Sequence, residues 1–177
     1  MNFWKKYSEE KRMIDKWKEK ENNINEALNL LFSIPEEERT SQNWLLMGNI
    51  LQDQNKPADA IFMYNNAIAT EPKNYKAHYN LGVAHLMQNQ PNLAIEEFKK
   101  AIKYKSDFAY AYYNLGCAYL KVEKYNKAKW EFLNAITYNN QVADFHYNLA
   151  YTYKKLNNEK KAKIYLKYYN ELQERGQ

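Results

Sequence analysis

The nine residues His78–Leu86, HYNLGVAHL, decide the fold because the chain says nearly the same thing twice more. Tyr112–Leu120 reads YYNLGCAYL, His146–Lys154 reads HYNLAYTYK, and a weaker copy, WLLMGNILQ, begins at Trp44; all four start 34 residues apart. A fixed period of that length marks a stacked architecture, in which each unit of two elements buries its apolar faces mainly against its neighbours.

Composition agrees. The 177 residues are 45% apolar and 16% aromatic, with only four Gly and four Pro. That is too rich in core formers for a disordered chain and too poor in turn residues for a β-sandwich, which leaves an all-α protein. The opening MNFWKKYSEEKRM is charged and no long apolar run follows it, so neither a membrane span nor a signal peptide is expected. The single cysteine excludes an internal disulfide, and a cytoplasmic location is the expectation, a trimmed start being left open. The net charge of +5 is unevenly spread: residues 1–72 hold 9 Lys/Arg and 12 Asp/Glu, residues 73–177 hold 17 and 9. Such a split fits an acidic ligand for the C-terminal part or head-to-tail self-association, against the plain reading of lysine-rich solvent faces.

Units beginning at Ser41, Tyr75, Ala109 and Ala143 put like residues in columns. Gly48, Gly82, Gly116 and Ala150 share one column; Ala60, Ala94, Ala128 and Ala162 share another. Each column falls in a separate apolar-periodic segment, as expected where two antiparallel helices cross closely. Ala67, Ala101 and Ala135, with Tyr169 in the last unit, lie where one hairpin meets the next. Trp44, His78, Tyr112 and His146 fill a core slot; so do Leu51, His85, Tyr119 and Tyr153, and Tyr64, Phe98, Phe132 and Leu166. Pro57 and Pro91 mark the starts of second helices, and Pro72 marks an end.

WLLMGNIL, with Ala60, Tyr64, Ala67 and Pro72 after it, resembles the tetratricopeptide repeat pattern of Trp, Leu-Gly, Tyr, Ala, Phe, Ala and Pro, over about residues 41–174. The resemblance implies a right-handed α-solenoid of antiparallel helix pairs, with repeats at 41–74, 75–108, 109–142 and 143–177, the last carrying a C-terminal capping helix. Ala150, Ser106, Asn140 and Tyr169 depart from the pattern. Residues 1–40 read as an N-terminal helical cap with a degenerate half repeat: Ile24, Ala27, Leu28 and Leu31 have second-helix spacing, and Phe3, Tyr7, Ile14 and Trp17 share a face before it.

No enzyme is expected. The three histidines occupy core columns, no metal-ligand spacing involves Cys117, and neither a phosphate loop nor a cofactor motif occurs. Nucleic-acid binding is disfavoured as well, because the lysines follow ordinary exposed helix faces and no nucleic-acid motif is present.

The first helices say more. Beside their core stripe runs a second apolar stripe, roughly 100° further round: Tyr79, Val83 and Met87, then Tyr113 and Cys117, then Tyr147 and Tyr151. In the resembled family these positions face a concave groove. The resemblance therefore makes them a peptide-binding lining, begun by Leu45 and Asn49, extended by Phe108 and Tyr110, and fringed by Lys76, Lys121 and Lys154. An extended or helical segment with apolar anchors and acidic residues fits such a groove. The alternative is that the tyrosines pack between neighbouring first helices. Asn49 and Asn80 match two members of the clamp by which some relatives grip chaperone tails, but Leu45, Tyr110 and Asn114 stand where its cations belong. The column Asn80, Asn114 and Asn148 reads instead as hydrogen bonding within the repeat framework. A second copy of the chain is a further candidate partner, through the terminal helices.

Overall fold

The computed structural model describes residues 22–175, which are helical apart from their connections and contain no strand. Helix α1 covers 22–33 and is followed by a 3-10 turn at Glu36–Glu38. Four helix pairs follow: α2 (Ser41–Asp53) with α3 (Pro57–Thr70), α4 (Tyr75–Met87) with α5 (Pro91–Tyr104), α6 (Ala109–Lys121) with α7 (Tyr125–Tyr138), and α8 (Ala143–Lys155) with α9 (Glu159–Arg175). Each helix packs on the next, and the first helices α2, α4, α6 and α8 also touch one another in order. The result is the α-solenoid of helix pairs that the 34-residue period predicts. Residues Phe3, Tyr7, Ile14 and Trp17 lie outside the described residues.

Local chemistry sets the ends. Thr40 caps α2 in a reciprocal box with Asn43, and the Asn74 side chain accepts from the backbone N–H groups of Lys76 and Ala77 at the start of α4. Pro57 and Pro91 open α3 and α5, where a missing N–H leaves nothing unsatisfied. Every hairpin turn carries one residue in the left-handed region: Asn55, Asn89, Glu123 and Asn157, with φ between 56° and 58°. The N–H two residues past each C-cap reaches back to the last turn, as in Lys56 N to Leu51 O (2.9 Å) and Lys124 N to Tyr119 O (2.9 Å). This is the Schellman closure, which favours Gly or Asn at the left-handed position. Glu123 fills it without that advantage.

Within the hairpins, glycine makes room for an aromatic ring. A Cβ added at Gly82 would lie 2.6 Å from Phe98 Cε1, and one at Gly116 would lie 2.7 Å from Phe132 Cε1. Tyr64, Phe98 and Phe132 are fully buried there. Opposite them, Ala60, Ala94 and Ala128 are fully buried at the helix crossings. The last hairpin carries Ala150 and Leu166 in these places, and Leu166 is 43% exposed.

The Trp44 column is the variable slot. His78 is buried, its Nδ1 2.7 Å from Glu97 Oε2 and its Nε2 donating to the Pro72 carbonyl at 3.0 Å. Lys100 Nζ donates to the other Glu97 oxygen at 2.7 Å. In the last hairpin His146 Nε2 donates to the Asn140 carbonyl at 3.0 Å, Tyr165 stands where Glu97 stood, and buried Nδ1 has no partner among the described residues.

Candidate functional site

The stripe beside the core is built from the first helices, and two of its hydroxyls, those of Tyr79 and Tyr113, are already engaged. Asn114 Nδ2 donates to the Tyr79 hydroxyl at 2.9 Å, and Asn148 Nδ2 donates to the Tyr113 hydroxyl at 2.8 Å. One junction earlier, Asn80 Nδ2 donates to Asn49 Oδ1 at 2.7 Å, and the Tyr64 hydroxyl donates to the same oxygen at 3.0 Å. At least one side-chain bond thus crosses each junction between successive first helices. Burial, partly offset at Tyr79 by the Asn114 bond, raises the Tyr79 and Tyr113 hydroxyls above the ordinary phenol value, so both stay neutral donors and acceptors.

The rings of these two tyrosines also have inward partners. Tyr79 meets Phe108 at 4.8 Å between centroids and Phe98 at 5.9 Å; Tyr113 stacks on Phe145 at 4.8 Å and meets Phe132 at 5.8 Å. Phe108 is itself half-buried against Tyr75 and Tyr79. Val83 and Asn49 are half-buried too. Cys117 is half-buried near the Asn148 amide, and burial pushes its thiol up to about 11, which leaves it a small apolar filler.

Leu45 departs from the expectation. It is 3% exposed and belongs to the buried cluster on which Leu28 and Leu31 of α1 pack, so it does not line an open surface. It shares that cluster with Tyr64 of α3 and with Ala77 and Leu81 of α4, at the position that Tyr79, Tyr113 and Tyr147 hold in later hairpins. Leu46, its neighbour, is exposed instead and was not marked by the stripe.

What remains open to a ligand is narrower than the stripe. Met87, Tyr110, Tyr147 and Tyr151 are exposed large side chains, and Lys76, Lys121 and Lys154 are exposed beside them. Tyr110 leans on Phe145 at 5.5 Å and Tyr147 on Tyr169 at 5.2 Å, so each presents a ring held from behind. A cavity of about 390 Å³ is lined by Tyr151, Lys154, Lys155 and Asn157, at the end of α8 and the turn after it. Among the described residues no group of His, Cys, Asp and Glu side chains is placed to hold a metal, and no helix is long and apolar enough to cross a membrane.

Stacked helix pairs whose first helices share one continuous face define a repeat scaffold. Three family profiles, each described as tetratricopeptide repeat, match residues 45–112, 97–129 and 143–174, and the chain belongs to the tetratricopeptide repeat family. It is in that sense a protein-interaction scaffold. No curated protein matches the sequence. Among solved structures it is similar to MamA, at 22% identity and a TM-score of 0.83, covering 90% of this chain and 94% of that one. MamA residues 41 to the end from Desulfovibrio magneticus RS-1 align at 23% identity and a TM-score of 0.80, covering 94% of each chain. YrrB, titled a TPR protein with an unusual peptide-binding site, aligns at 21% identity and a TM-score of 0.75, covering 88% of this chain and 80% of that one. These likenesses concern the fold.

Proposed function

We propose that the protein is a non-catalytic scaffold that holds an acidic peptide segment with apolar anchors along its first helices. The observation that carries this reading is the row of exposed rings braced from behind, Tyr110 and Tyr147, set among the lysines 76, 121 and 154. A braced ring offers contact area with few rotors left to freeze, and lysines at the rim favour acidic residues in the partner. Met87 adds an adaptable apolar contact at one side. Tyr79, Tyr113, Val83, Asn49, Phe108 and Cys117 serve as the floor on which these contacts stand, and Leu45 belongs to the core. The unusual peptide-binding site described for YrrB supports the ligand class, and the repeat family is typically non-catalytic. In this reading residues 1–40 cap the array, the units at 41–74, 75–108, 109–142 and 143–177 form its body, and the compartment is the cytosol.

The test is a display selection of random peptides on the intact chain, with hits measured by fluorescence anisotropy. Acidic sequences with two or more large apolar residues should be enriched, and Tyr110→Ala with Tyr147→Ala should weaken them at least about tenfold, a loss of roughly 1.4 kcal/mol or more. Tyr79→Phe should leave affinity unchanged, since its hydroxyl serves the junction. Hits that bind the double variant as tightly as the parent would sink the proposal.

A further inference from the structure

We propose that the outer face of the last hairpin receives the acidic Glu36–Glu38 turn of a second copy, so that chains associate head to tail. Three internal junctions define what that face normally carries. Phe98 and Phe132 are fully buried in one cluster with Leu115 and Leu149 of the following first helices, and the Tyr79 and Tyr113 hydroxyls receive an asparagine from those helices. At the fourth hairpin the same places hold Leu166, 43% exposed, and Tyr147, 49% exposed, with no hydroxyl partner among the described residues. Tyr169 stands where earlier hairpins have alanine and covers part of the gap by meeting the Tyr147 ring. The remainder is an apolar end with no helix of the described residues packed on it.

Charge names the occupant. Residues 143–175 hold seven Lys/Arg and four Asp/Glu, a balance of +3, whereas residues 22–72 hold two and seven, a balance of −5. Two copies of the same end would repel, so a symmetric tail-to-tail pair is disfavoured and an unlike pairing is favoured. The two ends also match in detail. The cavity of about 390 Å³ at the edge of the last hairpin is lined by Tyr151, Lys154, Lys155 and Asn157. At the other end of the molecule Glu36, Glu37 and Glu38 sit together on one exposed turn, directly after Leu30 and Phe32, which are exposed at 65% and 44%. Each end thus pairs a charged group with exposed apolar side chains, Glu36–Glu38 with Leu30 and Phe32 at one and Lys154 and Lys155 with Tyr147 and Leu166 at the other. Neither lysine is committed to a carboxylate of its own chain among the described residues; Lys155 lies over the Tyr151 ring at 5.5 Å. A contact of this unlike kind does not close on itself, so it produces open chains of copies rather than a fixed dimer.

This goes beyond the peptide reading and is tested separately, by mass. Sedimentation of the full chain at low salt should show a weight-average mass that rises with concentration past the dimer, and moderate salt should reverse the rise. Glu36→Lys with Glu37→Lys and Glu38→Lys should be monomeric, and so should Lys154→Glu with Lys155→Glu. Mixed one to one, the two variants should associate again and past the dimer, because every contact between unlike variants pairs lysines with glutamates, whereas each variant alone meets only like charge. A strict monomer at every concentration would overturn the proposal, as would a closed dimer indifferent to either charge reversal. A monomeric mixture of the two variants would overturn it too, including the case in which residues 1–21 of the same chain cover the end face. Tyr110→Ala leaves both ends intact and should not change the mass, so loss of peptide binding and loss of association are distinguishable.

Discussion

Phe132 and Leu166 stand at the same place in successive hairpins, yet the first is fully buried and the second nearly half exposed. One helix away, Gly116 and Ala150 are both buried but differ in size. Beneath a sealed aromatic ring only glycine fits, and beneath a smaller, half-open leucine an alanine is accommodated. What a column tolerates is therefore set by whether another hairpin follows it. Sequence variation at the end of the array reports position as much as chemistry.

That contrast can be broken most forcefully at the rings. Phe132→Ala should cost about 3–5 kcal/mol in urea denaturation, while Leu166→Ala should cost less than about 1 kcal/mol, because only the former empties a closed site. Equal losses would mean that the last hairpin is as tightly packed as the third. Next in size is Gly116→Ala, expected to cost about 1–3 kcal/mol by overpacking against Phe132. Adding Phe132→Leu to it recreates the last hairpin's pair, and the two changes together should cost less than their sum. At the junction bonds, Tyr113→Phe should cost roughly 0.5–1.5 kcal/mol by leaving the Asn148 amide unpaired, whereas Tyr147→Phe should be neutral. Chemical melts of the two single variants side by side decide it.

Two glutamates one repeat apart give a finer comparison. Burial opposes ionisation of Glu97, but the bonds from His78 and Lys100 outweigh it and hold its carboxyl below the ordinary value. Its contribution is present above the unfolded-state pKa and drains away as pH falls through the lower folded value. Burial raises Glu131 and the Asn134 bond only partly offsets it, so stability there falls as pH climbs from the unfolded value to the higher folded one. Melting temperatures over an acid-to-neutral series should show Glu97→Gln flattening the acid-side loss and Glu131→Gln raising the melting temperature only toward neutral pH. Smallest of all, Glu123→Gly should stabilise by about 0.5–1 kcal/mol, since it alone among the four left-handed turn residues is neither Asn nor Gly.

The hairpins and their packing columns were legible because a single-chain period of 34 places equivalent residues in register without knowledge of any contact. The groove was legible only as a stripe. That the hydroxyl of Tyr79 would meet Asn114 depends on how far one helix is displaced against the next, a quantity that the period does not contain. Leu45 misled for a similar reason. It holds a groove column, yet it belongs to the buried cluster that the first hairpin shares with α4, and the period does not show which column members are closed over. A leucine in place of a tyrosine was the available hint. The buried histidines were placed correctly as core, but the carboxylate beside His78 was invisible, because Glu97 has no counterpart in the first or last unit.

At the second and third junctions the crossing bond joins a tyrosine to the asparagine 35 residues later, one more than the period. Duplicating the gene segment for residues 75–108 in place would therefore set the first copy's Tyr79 against the second copy's Asn80, and the second copy's Tyr79 against the old Asn114. The His78–Glu97 pair would travel whole inside each copy, with a loop carbonyl from Ser106 waiting for the new ring where Pro72 serves the old one. Such a lengthened chain should melt no lower than its parent, and deleting the same segment should leave Tyr113 and Asn148 still paired. Growth or shrinkage by one unit needs no compensating substitution at the seam, which makes the number of hairpins the easiest property of this protein for recombination to change.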